Sequence, residues 1–219
     1  MASLPTGTRI AVATVLAAKK PITAISNAAE AVCTAAAHGL IVGDIVTIES
    51  GWGRLSGRTY RVKAAPTADT FVLEGKKANT TSTKLFTPGG GGGGGFQKAV
   101  TWVDVIQVLS SSSSGGEAKK VTYQYLESEN EFELNNGFSA VSRSLEVDAD
   151  AIDTPGYDAL VELTATQDTT IQRTTTRNGA VSYLACTVAM NEEVITQDNQ
   201  INRVKVDFSG KSQSTRYSA

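Results

Sequence analysis

The sequence has one histidine, two cysteines and 6% aromatic residues, and each scarcity closes a route. A zinc site needs three or four ligands, and His38 and Cys33 are the lone imidazole and thiol of their region. A Ser-His-acid triad is equally unsupported, because no GxSxG elbow occurs anywhere. Cys33 and Cys186 form no CxxC; isolated buried thiols are expected, with a disulfide left open. No run of 18 apolar residues exists, so no membrane insertion is expected. The N-terminus lacks the early charges and longer apolar run of a signal peptide. A formal net charge of −2 argues against a basic nucleic-acid binder. The reading is of a non-enzyme, with no cofactor and no metal.

Two low-complexity runs divide the chain. One is TPGGGGGGGFQ, with seven glycines over Gly89–Gly95; the other is Ser110–Gly116. Neither can bury apolar area to offset chain entropy, so both are expected as mobile loops, the first a tether. A phosphate loop would need Lys-Ser or Lys-Thr after spaced glycines, but Lys98 precedes Ala99-Val100.

Residues 21–87 read as a self-contained β unit. DIVTIES, YRVKAA and TFVLEG are short strand candidates, punctuated by Gly51, Gly53, Gly57 and Gly75. In HGLIVGDIVTI, Gly39 and Gly43 suit positive φ and Asp44 can cap its own turn, so His38 reads as a turn residue. The steps His38-Gly39-Leu40, Gly43-Asp44-x-Val46, Leu55-x-Gly57-Arg58-x-Tyr60-x-Val62 and Thr70-Phe71 resemble a small β-barrel module of tailed-phage proteins. That module is similar to a half-domain of ubiquitin-activating enzymes. The resemblance implies non-catalytic decoration on an outer surface.

The remainder, residues 1–20 and 88–219, is expected as the main domain, with RIAVATVLAA as its first strand and the chain returning at AVTWVDVIQVL. Asn136-Gly137 is a strong type I′ turn signal. In that register Asn135 pairs with Phe138, Phe132 with Val141 and Leu126 with Val147. One side of the ribbon is then apolar. The other carries Glu127, Glu129, Glu131, Glu133, Glu146, Asp148 and Asp150. Residues 117–162 hold eleven acids against Lys119, Lys120 and Arg143, so local partners are few. A calcium loop is disfavoured, because Asp148–Asp153 lacks the glycine and Ala159 stands at position twelve. A glycosidase pair lacks the usual aromatic platforms.

A helix follows, with Thr154 as N-cap, Pro155 at N1, Asp158 near the positive end and a Tyr157, Leu160, Val161, Thr164 stripe. Asn178-Gly179 predicts a second I′ hairpin. In RVKVDFSG, Val204, Val206 and Phe208 alternate inward, and the tail SGKSQSTRYSA reads as loose. The fold expected is mainly β: an antiparallel β-sandwich or barrel-like domain with one helix, plus the inserted small β-barrel module.

TWVDVIQVL, GGEAKKVTYQYLE, SRSLEVDADA, TPGYDALVEL, the Asn-Gly hairpin and RVKVDFSG together resemble the major tail tube protein of long non-contractile-tailed phages (siphophages). The resemblance implies a structural virion protein forming hexameric rings, stacked helically around a tape measure protein and joined to tail terminator and tail tip proteins. Double-stranded DNA would pass through without specific binding, along a lumen lined by Glu146, Asp148 and Asp150, with Glu127, Glu129, Glu131 and Glu133 as further candidates. Assembly would occur in the bacterial cytoplasm and the product would sit in the virion tail. The competing reading is a host-surface or glycan-binding baseplate module.

Overall fold

The computed structural model describes residues 6–219; the first residues of the expected main domain, 1–5, lie outside them. The strands are β1 (Arg9–Leu16), β2 (Lys20–Ile22), β3 (Ala24–Ile25), β4 (Val32–Thr34), β5 (Ile45–Glu49), β6 (Arg58–Thr67), β7 (Thr70–Leu73) and β8 (Gly94–Val105). They continue as β9 (Val108–Ser114), β10 (Ala118–Tyr123), β11 (Phe132–Phe138), β12 (Ser142–Asp148), β13 (Thr170–Thr175), β14 (Val181–Ile195), β15 (Arg203–Gly210) and β16 (Thr215–Tyr217). Helix α1 (Pro155–Thr166) lies between β12 and β13. All pairings are antiparallel, and the main sheet runs β3-β4-β7-β6-β5-β8-β1-β13-β14-β15-β12-β9 in a curled half-barrel. The fold is mainly β with one α-helix, as expected.

Strand β8 joins the two regions. Its first half pairs with β2 and β5, and its second half with β1. On one side of it, Ile22, Val46, Tyr60, Phe71, Leu73 and Phe96 belong to one buried cluster. On the other, α1 lays Tyr157, Leu160 and Leu163 against Leu145, Val147, Val204, Val206 and Phe208. The alternation read in RVKVDFSG holds: Val204, Val206 and Phe208 are buried. Each such side chain contributes about 1.5–3 kcal/mol by leaving water. Thr154 caps α1 by accepting from the Tyr157 N–H at 3.4 Å, and Gln167 ends it in the left-handed region.

Four expectations are corrected. The glycine run is no tether: Gly91 and Gly95 are buried and Gly94 opens β8. A Cβ on Gly94 would lie 1.9 Å from the Glu49 carbonyl oxygen, so close backbone approach explains the residue choice there. The serine run is no mobile loop, since it pairs along β12 as strand β9. The Asn178-Gly179 hairpin exists, but Thr176 pairs with Ala180 and Gly179 takes φ 83°, a three-residue loop rather than a two-residue I′ turn. Finally, the C-terminal tail is not loose. β16 pairs with β14, the Tyr217 hydroxyl accepts from the Arg61 N–H at 2.8 Å, and the Ser212 hydroxyl donates to the Gly57 carbonyl at 2.7 Å.

The glycine finding is testable. Gly94→Ala should destabilise by roughly 1–3 kcal/mol in urea denaturation. Gly53→Ala, exposed and with nothing within 4 Å of its added Cβ, should change stability by less than about 0.5 kcal/mol.

Candidate assembly surfaces

Strands β10 and β11 form a two-stranded sheet of their own, outside the main sheet. Val121 pairs with Leu134 and Tyr123 with Phe132, which puts these four on one face. Thr122 with Glu133 and Lys120 with Asn135 make the other, with Lys120 and Glu133 ion-paired across it. Tyr123 stacks on Phe132 at 5.5 Å, and Tyr125 meets Phe132 edge-on at 5.9 Å. Val121, Phe132, Leu134 and Phe138 are nonetheless 41–58% exposed, and Leu126 at the tip is fully exposed. A hairpin of this kind has one apolar face and nothing of its own chain to cover it. Isolated two-stranded hairpins are marginal in water, so such a face marks an interaction surface.

This arrangement corrects the expected ribbon. Asn136-Gly137 is not a turn: Gly137, at φ 74°, sits in a β-bulge where the register between β10 and β11 shifts. The chain turns instead at residues 124–131, between β10 and β11. β12 never meets β11; it pairs with β15 on one side and β9 on the other. The local turn signal lost because β12 gains two partners and buries Leu145 and Val147, which one hairpin could not supply.

The seven acids therefore fall on two separate surfaces. Glu127, Glu129 and Glu131 stand exposed in the tip loop and Glu133 on the polar face of the hairpin. Glu146 lies on the face of β12 opposite Leu145 and Val147, accepting from the Ser110 hydroxyl at 2.9 Å and standing 3.4 Å from Arg203 Nε. Asp148 accepts from the Asp150 N–H at 3.0 Å, capping a 3-10 turn that leaves Asp150 exposed. Across the ladder, Lys205 faces Glu146, Arg203 faces Asp148 and Asp207 faces Ser144. That ladder face thus carries three carboxylates against two cations, interspersed with serines, and is much less negative than the alternation suggested.

The base of the projecting hairpin borders a cleft of about 830 Å³. Arg54, Arg58, Lys76, Lys77, Lys119 and Lys211 line it, and no carboxylate does. Arg58 donates to the Gln213 side-chain oxygen at 2.9 Å and Lys211 to the Thr169 hydroxyl. None of the six stands in an ion pair among the described residues. Sequence reasoning missed this surface, because its cations are spread from residue 54 to 211. The doublet Lys76-Lys77 and the Arg54, Arg58 spacing were its faint signals. Nearby, Arg143 is half-buried without a carboxylate and donates to the Gln172 and Thr174 side-chain oxygens at 3.2 and 3.1 Å and to the Ser182 hydroxyl at 2.7 Å. Burial pushes its guanidinium below the usual arginine range.

The residues that could have carried other chemistry are engaged in structure. His38 is buried; its Nδ1 accepts from the Leu40 N–H at 2.9 Å, and its Nε2 bonds the Thr67 and Thr70 carbonyls at 2.9 and 3.1 Å. Asp44 holds the turn through the Ile41 N–H at 2.8 Å and pairs with Lys98 at 2.8 Å. Among the described residues, no three His, Cys, Asp or Glu side chains gather as a metal site. Cys33 and Cys186 are free and buried, in different clusters, and desolvation pushes both thiols up to about 12.

A family model described as phage tail tube protein matches residues 50–219, beginning inside the expected inserted unit. No curated protein matches the chain in sequence. Among solved structures, a chain from the tail of an empty GTA particle with C6 symmetry is similar over 55% of this chain and 89% of its own, at 10% identity and a TM-score of 0.43. A chain of the six-fold symmetrised anti-feeding prophage baseplate is similar over 54% and 85%, at 10% identity and 0.38. A chain of the anti-feeding prophage tube-terminating cap is similar over 49% and 79%, at 15% identity and 0.32.

The cysteine environment makes a direct prediction. Folded protein at pH 8 should leave both thiols unreactive toward a chromogenic disulfide reagent, since thiolate is the nucleophile and burial suppresses it. In denaturant, two thiols per chain should react at once; rapid reaction of the native protein would contradict the buried geometry.

Proposed function

The chain belongs to the phage tail tube protein family, and on that premise we propose that it polymerises into stacked rings, hexameric as the resemblance implies, that form the conduit for DNA in a siphophage tail. It is a structural protein of the virion tail. Within the proposal it is not an enzyme; it assembles in the host cytoplasm around a tape measure protein and meets terminator and tip proteins at the tube ends. Residues 21–87 would ride on the outside of the wall as a decorating unit.

The observation that carries polymerisation is the projecting hairpin. Its apolar face, Val121, Tyr123, Phe132 and Leu134, is uncovered by its own chain, which is costly unless a neighbour covers it. The hairpin tip and its base are different surfaces, so a contact between them is head-to-tail and propagates instead of closing. Strand β9 adds an open sheet edge, uncharged from Val108 to Ser114, of the kind that pairs with another chain.

We assign Glu146, Asp148 and Asp150 to the channel wall. They lie at or beside the polar face of β12, where Ser110 and Ser144 keep the surface hydrophilic and Lys205 and Arg203 stand opposite Glu146 and Asp148. A wall of weakly negative net charge offers phosphates no binding sites, so duplex DNA is not retained by it.

Two outcomes test the reading. Purified protein should form tubes with a central hole in negative stain, and Tyr123→Ser/Phe132→Ser should keep a folded chain yet abolish them; a wild-type protein that stays monomeric at every concentration would sink the proposal. Tubes of Glu146→Lys/Asp150→Lys should bind short duplex DNA, with affinity falling steeply as salt rises, where wild-type tubes bind none. Equal, weak DNA binding by both would remove these acids from the wall.

A further inference from the structure

The cleft at the hairpin base and the loop at the hairpin tip complement one another, but not within one chain. The tip, residues 124–131, carries Glu127, Glu129 and Glu131, none in an ion pair among the described residues, beside the fully exposed Leu126 and half-exposed Tyr125. The cleft carries six cations and no carboxylate, with Leu85 and Phe138 exposing apolar surface in the same wall. Lys119 lines the cleft, and Tyr125 stands in the tip six residues on, just past the end of β10. At the rise of an extended strand that is about 20 Å, so a tip cannot fold back into its own cleft.

We propose that the tip loop of one copy docks in the cationic cleft of a second copy, setting its three glutamates among Arg54, Arg58, Lys76, Lys77, Lys119 and Lys211 and Leu126 against Leu85 and Phe138. The proposal rests on the polymerisation read above and names the surfaces that perform it. Three features favour this occupant over a free polyanion. The apolar wall would go unused by phosphates. The acidic tip is present at the same concentration as the cleft. And the tip is already shaped for docking: the Ser128 N–H donates to the Tyr125 carbonyl at 3.0 Å, the Gln124 amide to the Ser128 carbonyl at 2.8 Å, and the Asn130 N–H to the Ser128 hydroxyl at 3.1 Å. A loop held in one shape loses little conformational entropy on binding. The cleft also gives residues 21–87 a task beyond decoration, since Arg54, Arg58, Lys76 and Lys77 come from that unit.

A charge-reversal cycle on the full chain decides the matter. Glu127→Lys/Glu129→Lys/Glu131→Lys, and separately Arg54→Glu/Lys76→Glu/Lys77→Glu, should each raise the concentration needed for assembly by roughly tenfold or more in sedimentation. The chain carrying both sets should recover much of that loss, which damage to folding would not permit. If wild-type tubes form and the tip reversal shifts assembly less than twofold, or the double reversal recovers nothing, docking here is wrong while the tube reading stands. A fluorescent peptide of residues 124–132 supplies the second measurement, titrated with wild-type and cleft-reversed chain. It should bind saturably, more weakly with salt, and at least tenfold more weakly to the reversed cleft. Should the wild type never polymerise, the tube reading fails, and the peptide alone decides: no binding overturns the docking. Tight cleft-dependent binding of a mixed-sequence duplex DNA with no peptide binding overturns it too, in favour of a polyanion site.

Discussion

The rest of the structure depends on the way β8 crosses from one core to the other. Its twelve residues pair first with β2 and β5 and then with β1, so one backbone belongs to two ladders. That path is possible because the chain starts the strand with glycine. At Gly94 the Glu49 carbonyl occupies the space where any side chain would stand. A strand shared in this way transmits position. If the first half shifts in register, every side chain of the second half changes face, and Val105 leaves the core under α1. The glycine run that looks like slack in the sequence thus contains one of the tightest backbone approaches in the fold.

A second contact fixes the two regions from the far end. Arg61 and Glu74 form a bidentate ion pair, which holds Glu74 below the usual carboxylate range, and the Arg61 guanidinium lies 4.6 Å above the Tyr217 ring. Tyr217 also closes a small core with Ala13, Ile45, Ala99, Ile171 and Tyr183, drawn from both sides of β8. Two attachments, one through the backbone of β8 and one through the C-terminal strand, make the arrangement rigid. The hairpin of β10 and β11 has neither, and it keeps an apolar face exposed. Rigidity in the body and an uncovered arm are what a polymer-forming subunit needs, because the body sets the geometry that the arm repeats.

The charge pattern follows the same division. On β12 of the main sheet two acids meet cations across the ladder, Glu146 opposite Lys205 and Asp148 opposite Arg203. On the arm tip, Glu127, Glu129 and Glu131 meet none among the described residues, and six cations without an ion pair line the cleft. Charge that is paired on β12 is left unpaired on the arm tip and in the cleft. Such complementarity sets partner choice and encounter rate more than it sets affinity.

What the sequence alone determined is what depends on neighbours a few residues apart. The strands with strict alternation, Leu145 and Val147 against Glu146, and Val204, Val206 and Phe208 against Lys205, were legible because a half-buried strand has a period of two. So was α1, whose cap and Pro155 act within a single turn, and so was the turn role of Gly39, Gly43 and Asp44. Tertiary structure decided the rest. Asn136-Gly137 carries the right local chemistry for a turn, yet β12 is drawn to β15 and β9, and the glycine's positive φ serves a bulge. The serine run has no apolar pattern to announce it and becomes a strand because β12 offers it an edge. The tail SGKSQSTRYSA is polar throughout, but Tyr217 finds a buried seat more than a hundred residues away in sequence. The cationic cleft is assembled from six positions on four separate segments. No local period encodes pairings and clusters of that kind; they exist once the sheet has closed and distant side chains share one surface.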